Sequence, residues 1–299
     1  MVGAALILPG RNLDSASLMT LLIEERVTFS VGVPTIWLSM LDHLKTHRAQ
    51  VPDLRRVLVA GSACPQHLIN GFAPYGVEVH QAWGMTETSP VVTYHAPKPA
   101  NAGASNEETV ALRLRQGRTL CGVDVKIVDR DNRELPWDGV SFGDLLCRGS
   151  WVAREYLKRG SDGAAAADGW FATGDVATID PEGYIHLVDR SKDVIKSGGE
   201  WISSIALENI AIAHPDIIEA AIIAAKHEKW MERPLLLVVA REGCTIDKAD
   251  ILKLYEGTVA RWWVPDDVVV VPELLHTATG KLNKLALRER YGDYLTRTV

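Results

Sequence analysis

Along the first third of the chain, short apolar runs alternate with stretches whose apolar residues recur every three or four positions. That is the rhythm of strand followed by helix. Gly3 to Leu8 is a short apolar run ending at Pro9 and reads as a buried strand. Asp14 or Ser15 caps a predicted helix with Leu18, Leu21 and Leu22 on one face. Thr28 to Val33 is β-branched and apolar, and Pro34 opens a helix through Trp37, Leu38 and Leu41. Val57 to Ala60 predicts a buried strand, Gly61-Ser62-Ala63 follows it, and a helix starts near Pro65. Val77 to Ala82 predicts another strand. The βαβα order implies a parallel sheet covered by helices, with ligands beyond the carboxyl ends of its strands. Both Gly61-Ser62-Ala63 and Trp83-Gly84-Met85-Thr86-Glu87 then border one crevice.

The pattern changes twice more. Residues 97 to 117 read as a surface loop with a short helix. From Gly117 to Val188 the apolar runs shorten to Val123–Val128, Asp144–Arg148, Val176–Ile179 and Tyr184–Val188, separated by the turn signals Asp131-Asn132, Asp138-Gly139 and Glu182-Gly183. A small distorted barrel or an antiparallel sheet fits. After Arg190 the sequence predicts a helix near Ile205–Ala213, strands near Ala220–Ala225 and Leu235–Ala240, and a helix near Lys248–Ala260. A strand near Val268–Val271 and a last helix near Asn283–Tyr291 complete an α+β unit. The boundary falls at Asp189 to Lys192, giving domains 1–189 and 190–299.

At 47% hydrophobic and 23% charged residues, the 299-residue chain has a globular composition. A net charge of −6 argues against nucleic acid as a partner, because no basic excess exists to replace counterions. No run of 18 apolar residues occurs, so no transmembrane segment is expected. Cys64, Cys121, Cys147 and Cys244 lie far apart without metal spacing and read as reduced, mostly buried thiols of a cytoplasmic protein.

The densest polar chemistry lies in Gly169 to Ser204, GWFATGDVATIDPEGYIHLVDRSKDVIKSGGEWISS. So many charges and glycines beside apolar strands suggest a site for a polar, phosphorylated ligand. Asp175 after Thr173-Gly174 offers a carboxylate to both hydroxyls of a ribose, or is an Asp in a strand-entry turn. Thr86 offers a hydroxyl to a phosphate and Glu87 a carboxylate to nucleotide-bound Mg²⁺, or both are helix caps. Arg190, Lys192, Asp193 and Lys196 form either a hinge or a solvated linker. Ser197-Gly198-Gly199 brings bare backbone to a narrow ligand, or makes a tight turn. Lys281, after Thr279-Gly280, suits a developing charge on phosphate or carboxylate oxygens, or is solvated.

Taken together, GVPTIW, GSACP, QAWGMTETSP, the Gly169–Ser204 stretch and TATGKLNK resemble the adenylate-forming (AMP-binding) superfamily of acyl-CoA synthetases, peptide-synthetase adenylation domains and luciferases. SGGEWISS and HPDIIEAAIIAAKHEKWMERPLLLVV are similar to the fatty-acyl-CoA synthetase branch acting on medium-chain or longer acids. The resemblance implies an α/β fold: a partial large domain, with a parallel sheet, helices and a small β-barrel-like region, followed by a small α+β C-terminal lid. It implies ATP, Mg²⁺ and CoA as cofactors and a fatty acid as substrate. By the same resemblance Trp83 packs on adenine and Gly61, Ser62 and Ala63 line its loop beside Gly84. Thr86 touches the α-phosphate, Glu87 binds Mg²⁺ and Asp175 holds the ribose. Arg190 approaches ribose or phosphate, Lys192 is the hinge, and Gly198 and Gly199 line the pantetheine tunnel. Lys281 bridges carboxylate and α-phosphate. Trp37, His80 and Met85 border the acyl pocket. The family's Ser/Thr/Gly-rich phosphate loop ending in Lys does not occur in the sequence. The expectation is therefore a chain lacking the N-terminal half of the large domain, with bare apolar surface in residues 1 to 60 and weak or no adenylation by itself. A non-catalytic AMP- or CoA-binding remnant and a peptide-synthetase adenylation domain are the alternatives.

Overall fold

The computed structural model describes residues 3–62, 64–101, 103–129, 131–156, 168–198, 200–277 and 281–297. Ala63, Gly199, Thr279 and Gly280 lie outside the described residues. The chain divides into two compact units. The first comprises Met1–Val125, Cys147–Phe171 and Ile179–His186; the second comprises Lys126–Leu146, Ala172–Thr178 and Leu187–Val299.

The first unit begins irregularly. Residues 3 to 9 form no strand, and Leu6 and Leu8 are exposed. An apolar run becomes a strand only beside a partner for its backbone groups, and here none is paired to it among the described residues. Helix α1 (Ser15–Glu24) starts where its cap predicts, with Asp14 accepting from the Ser17 amide at 2.9 Å. Then follow β1 (Phe29–Gly32), α2 (Pro34–His47), β2 (Arg56–Val59), α3 (Gln66–Phe72), β3 (Glu78–Trp83), β4 (Thr93–Tyr94), α4 (Asn106–Arg113) and β5 (Arg118–Thr119). The five strands form one sheet in sequence order. β1, β2 and β3 run parallel, while β4 and β5 add antiparallel. Register sets which side chains share a face. Ser30, Val57 and Val79 align across the sheet, and Val57, Val59 and Val79 join Met19, Leu22, Met40, Leu41, Leu44 and Phe72 in a buried core. Val31, Leu58 and His80 align on the opposite face, together with Phe29.

Four strands, β6 (Val123–Val128), β7 (Phe142–Gly149), β8 (Phe171–Ile179) and β9 (Ile185–Arg190), make a sheet in sequence order, and the division between the units falls within these strands. This corrects the expected β-barrel-like region. The sheet is open, with no pair closing β6 onto β9 among the described residues.

The second unit continues with β10 (Ile195–Ser197), β11 (Glu200–Ile202), α5 (Ser204–Ala211), β12 (Ile217–His227), β13 (Met231–Ala240), α6 (Lys248–Lys253), β14 (Asp267–Val270), α7 (Lys284–Tyr291) and α8 (Tyr294–Arg297). The β10–β11 hairpin, absent from the sequence reading, pairs Ile195 with Ile202 and Ser197 with Glu200. β12 and β13 pair along almost their whole length, and β14 lies parallel to β13. Their residues divide with the period of two that a strand imposes. Ala220, Ile222, Leu236 and Val238 face the core of Leu207, Ile251 and Tyr255, whereas Ala221, Ile223, Leu235 and Leu237 face that of Val271, Leu274 and Leu287. Both faces of this sheet are therefore covered.

Candidate functional site

The candidate residues of the first unit sit beyond the carboxyl ends of β2 and β3. Gly61 and Ser62 follow β2 and are exposed, and Gly61 adopts φ +88°, a left-handed angle that glycine takes without Cβ strain. Trp83 ends β3 and is buried. Gly84 is required by space: a Cβ there would stand 2.0 Å from the Pro90 carbonyl oxygen. Thr86 to Thr88 form a single 3₁₀ turn with Thr86 exposed and Glu87 half-buried. A residue that the sequence reading missed shapes this turn. The Thr88 hydroxyl donates to the Met85 carbonyl at 2.9 Å and accepts from the Met85 amide at 2.9 Å. Glu87 is held by a second missed residue. Its Oε1 accepts from the Tyr156 hydroxyl at 2.7 Å, while its carbonyl accepts from the Ala153 amide at 2.7 Å. Trp37 packs in the core, edge-on to Phe72 at 6.2 Å.

The second unit holds the remaining candidates. Asp175 lies in β8, where Gly174 takes φ +72°. The Thr173 hydroxyl accepts from the Asp175 amide at 3.1 Å and donates to the Leu145 carbonyl at 2.7 Å. Asp175 is 3% exposed, and its Oδ1 meets Arg190 Nε at 2.7 Å. The structure thus brings Asp175 and Arg190 together, with Thr173 holding the Asp175 backbone and Arg190 its carboxylate. Lys192 is exposed in the turn that follows β9. Gly198 takes φ +59°, and a Cβ there would stand 2.8 Å from the Trp230 ring. Lys281 is exposed; its amide reaches the Thr277 hydroxyl at 3.2 Å and its carbonyl accepts from the Thr277 amide at 2.7 Å.

The segment around Lys192 is clamped by residues with no local signature. Asp189 is 2% exposed and accepts from the Arg190 amide at 2.7 Å and from the Ser204 amide at 2.5 Å, capping α5 together with Ser203. Lys284 reaches Glu208 at 2.7 Å and the Ser204 hydroxyl at 2.5 Å. Burial pulls the Lys284 ammonium down, but the carboxylates of Glu208, Asp189 and Asp193 outweigh it and hold the pKa above the ordinary lysine value. Arg288 pairs with Asp193 on the other side of the turn. Nothing in the sequence spacing joins residues 189, 208 and 284. Each lies on a different element, and only the packed sheet and helices bring them together.

Among the described residues no group of three His, Cys, Asp or Glu could hold a metal ion by itself. Glu87 instead offers one carboxylate, which suits a magnesium ion that keeps its waters and is carried on nucleotide phosphates. No helix among the described residues is long and apolar enough to cross a membrane. Cys64 and Cys147 are buried, Cys121 is exposed and Cys244 is intermediate, and burial pushes the Cys64 thiol up to about 12.

Comparison with known proteins gives one consistent family. Residues 1–157 match the model for AMP-binding enzymes and residues 206–281 the model for the AMP-binding enzyme C-terminal domain. The chain is 48% identical over 299 residues to a medium-chain-fatty-acid–CoA ligase of Ectopseudomonas oleovorans, covering all of this chain and 55% of the relative. It is 43% identical over 296 residues to a long-chain-fatty-acid–CoA ligase of Thermus thermophilus, covering 98% of this chain and 55% of the relative. The chain therefore spans about half the length of the curated relatives it matches. Among solved structures, ATP-bound MatB from Rhodopseudomonas palustris superposes with a TM-score of 0.80 at 27% identity, covering 94% of this chain and 54% of that one. The anthranilate–CoA ligase AuaEII in complex with anthranoyl-AMP shares the fold, with a TM-score of 0.84 at 23% identity over 98% of this chain and 55% of that one.

Proposed function

We propose a function on one premise: this chain belongs to the AMP-binding enzyme family. It is part of an ATP-dependent carboxylate–CoA ligase acting on a medium-chain or longer fatty acid. The reaction has two halves. The acid's carboxylate attacks the α-phosphorus of ATP, giving acyl-adenylate and pyrophosphate, and the CoA sulfur then takes the acyl carbon and releases AMP. Asp175 receives the ribose hydroxyls, Trp83 packs on adenine beside Gly61, Ser62 and Gly84, and Thr86 meets the α-phosphate. Glu87 would hold Mg²⁺, whose charge would neutralise that of the phosphates. Lys281 stabilises the oxygens between acid and phosphate, Gly198 borders the pantetheine arm, and Lys192 is the pivot of a small domain that starts at residue 190.

The observation that carries this reading is the Asp175–Arg190 pair at 2.7 Å. A carboxylate has about four lone-pair sites. Arg190 contacts one of the two Asp175 oxygens and so orients the carboxylate.

Calorimetric titration of AMP into the 299-residue chain and its Asp175→Asn variant tests the assignment. The substitution is expected to weaken AMP at least about tenfold, since hydrogen bonds to a charged group contribute roughly 1.5–3 kcal/mol each. Equal affinity would overturn the role. Residues 1–299 contain no Ser/Thr/Gly-rich loop ending in Lys. ATP–pyrophosphate exchange by this chain alone is accordingly expected to be weak or absent, and exchange at ordinary ligase rates would sink that part of the reading.

A further inference from the structure

A second polar site lies in the first unit, at the start of β3, while Trp83 and the Thr86–Thr88 turn lie at its end. The strand between Glu78 and Trp83 spans about 16 Å at roughly 3.3 Å per residue. A cavity of about 510 Å³ opens there, and its polar lining includes Glu78, His80, His95, Lys98, Asn101 and Arg113. Of the residues given ligand roles above, His80, expected at the border of the acyl pocket, lines this cavity.

Two features set it apart from an ordinary surface dent. The first is unmet hydrogen bonding. His95 is 2% exposed, yet its Nδ1 has no partner among the described residues, and the same is true of the buried Nε of Arg118. Only Trp37 Nε1 is otherwise orphaned among the described residues. Leaving such a group unsatisfied costs about 1–3 kcal/mol, so each of the two calls for a partner. His95 and Arg118 both stack about Tyr184, at 6.0 Å and 5.5 Å respectively, which places them on one ring.

The second feature is charge. Lys98 and Arg113 line the cavity with the carboxylate of Glu78, while Arg56 and Glu182 pair with lining residues and Arg118 lies over the Tyr184 ring. Glu78 is shared three ways, by Arg56 at 3.5 Å, Arg113 at 3.6 Å and His80 Nε2 at 3.1 Å, and Lys98 pairs with Glu182. The site therefore holds more positive than negative charge. His80 is already committed, with Nδ1 near the His95 carbonyl at 2.9 Å and the Tyr94 hydroxyl at 3.1 Å. Burial, followed by the repulsion of His80, Arg113 and Arg118, pushes the His95 imidazole down to about 4, so it is neutral near pH 7. The unpartnered Nδ1 of His95 therefore lies in a cavity whose lining carries two cations, Lys98 and Arg113, against one carboxylate, Glu78.

The geometry points to an oxyanion-binding site at this cavity, taking a phosphate or carboxylate group on His95, Lys98 and Arg113, with Arg118 behind them. Arg113 is set in place for this. Its carbonyl accepts from Gln81 Nε2 at 2.6 Å, tying the end of α4 to β3. Glu78 lines the cavity and opposes an anion there; its pairing with Arg56, Arg113 and His80 offsets that. The inference is independent of the ligase reading, because it uses neither Asp175 nor the Thr86–Thr88 turn.

The test uses the 299-residue chain with ¹⁵N-labelled histidine, titrated separately with inorganic phosphate and with acetate at constant ionic strength set by chloride. The His95 ring resonances are expected to shift and saturate. Arg113→Gln and Lys98→Gln are each expected to weaken that response about tenfold, the value of one charge-assisted hydrogen bond. Arg26→Gln, at an exposed pair with Asp53 3.6 Å away, is expected to leave it unchanged. Saturation by phosphate alone identifies a phosphate site, and by acetate alone a carboxylate site. No His95 response to either anion, or a response equal in all three variants, would overturn the proposal. Lys98 is on a loop, so its variant keeps the test decisive if Arg113→Gln fails to fold.

Discussion

The sheet built on β12 and β13 is apolar on both faces and helices cover both, whereas the parallel strands β1, β2 and β3 meet a helical core on one face only. On the other face Phe29 is 44% and Val31 57% exposed, with Leu6 and Leu8 exposed nearby in sequence. Parallel sheets are ordinarily buried on both faces. The covered unit can keep ions in its interior, because packed helices supply partners: Lys284 with Glu208 and Ser204, and Asp189 with the start of α5. The half-covered unit fixes its candidate site by other means, through Gly84 wedged against Pro90 and the hydroxyl of Thr88. The difference teaches that one chain can position chemistry either by charge networks inside a closed core or by backbone shape at the end of a strand.

The largest way to break the comparison is to remove a buried ion. Lys284→Met leaves Glu208 without its cation and is expected to destabilise the second unit by about 3–5 kcal/mol in urea unfolding. A loss near zero would mean that the network is decorative. Next is the response of the first unit to acid. Burial holds the folded His95 pKa at about 4, below the ordinary histidine value of 6.5, so the unfolded state takes up the proton first. Its contribution is fully present above pH 6.5, falls as pH drops toward 4, and amounts to roughly 3 kcal/mol at 1.36 kcal/mol per pKa unit. His95→Gln is expected to flatten that part of the stability-against-pH curve, and an unchanged slope would show that other groups carry it.

Glycine exchange separates shape from charge. Gly84→Ala drives a methyl against backbone and is expected to cost about 1–3 kcal/mol and to disturb the Thr86–Thr88 turn. Gly174→Ala meets nothing within 4 Å and faces only its left-handed backbone angle, a penalty of about 1–2 kcal/mol. If the two cost the same by thermal unfolding, the close approach at Gly84 does not matter. The smallest effect belongs to the open face. Phe29→Thr with Val31→Thr is expected to change stability by less than about 1 kcal/mol while lowering binding of an apolar dye, since surface substitutions rarely cost much. A large loss would mean that this face is packed.

Much of the architecture is legible in the chain. Asp14 and Pro34 mark the starts of α1 and α2, because a cap and an N-terminal proline act within one turn. The two long apolar runs read as strands, though β12 and β13 extend beyond them, since pairing partners rather than propensity set strand length. The Gly3–Leu8 run failed as a strand for the converse reason. Gly198 read as a turn or a tunnel wall, and the β10–β11 hairpin around it went unseen because three-residue strands carry almost no periodicity. Of the candidate site, Trp83, Thr86, Glu87, Asp175, Arg190 and Lys281 were visible as a series of motifs. Their supports were not. Tyr156 reaches Glu87 across 69 positions, and Lys284 reaches Ser204 across 80.

By itself, the sequence determined the order of elements, the glycines and caps that end them, and membership of a family through short, ordered motifs. Those depend on interactions within a few residues. Tertiary structure alone decided which face of the parallel strands is open, that Asp175 is buried against Arg190, that Lys284 is an interior cation, and that the His95 Nδ1 has no partner among the described residues. Burial and pairing are properties of neighbours in space, and the chain lists its residues only in order.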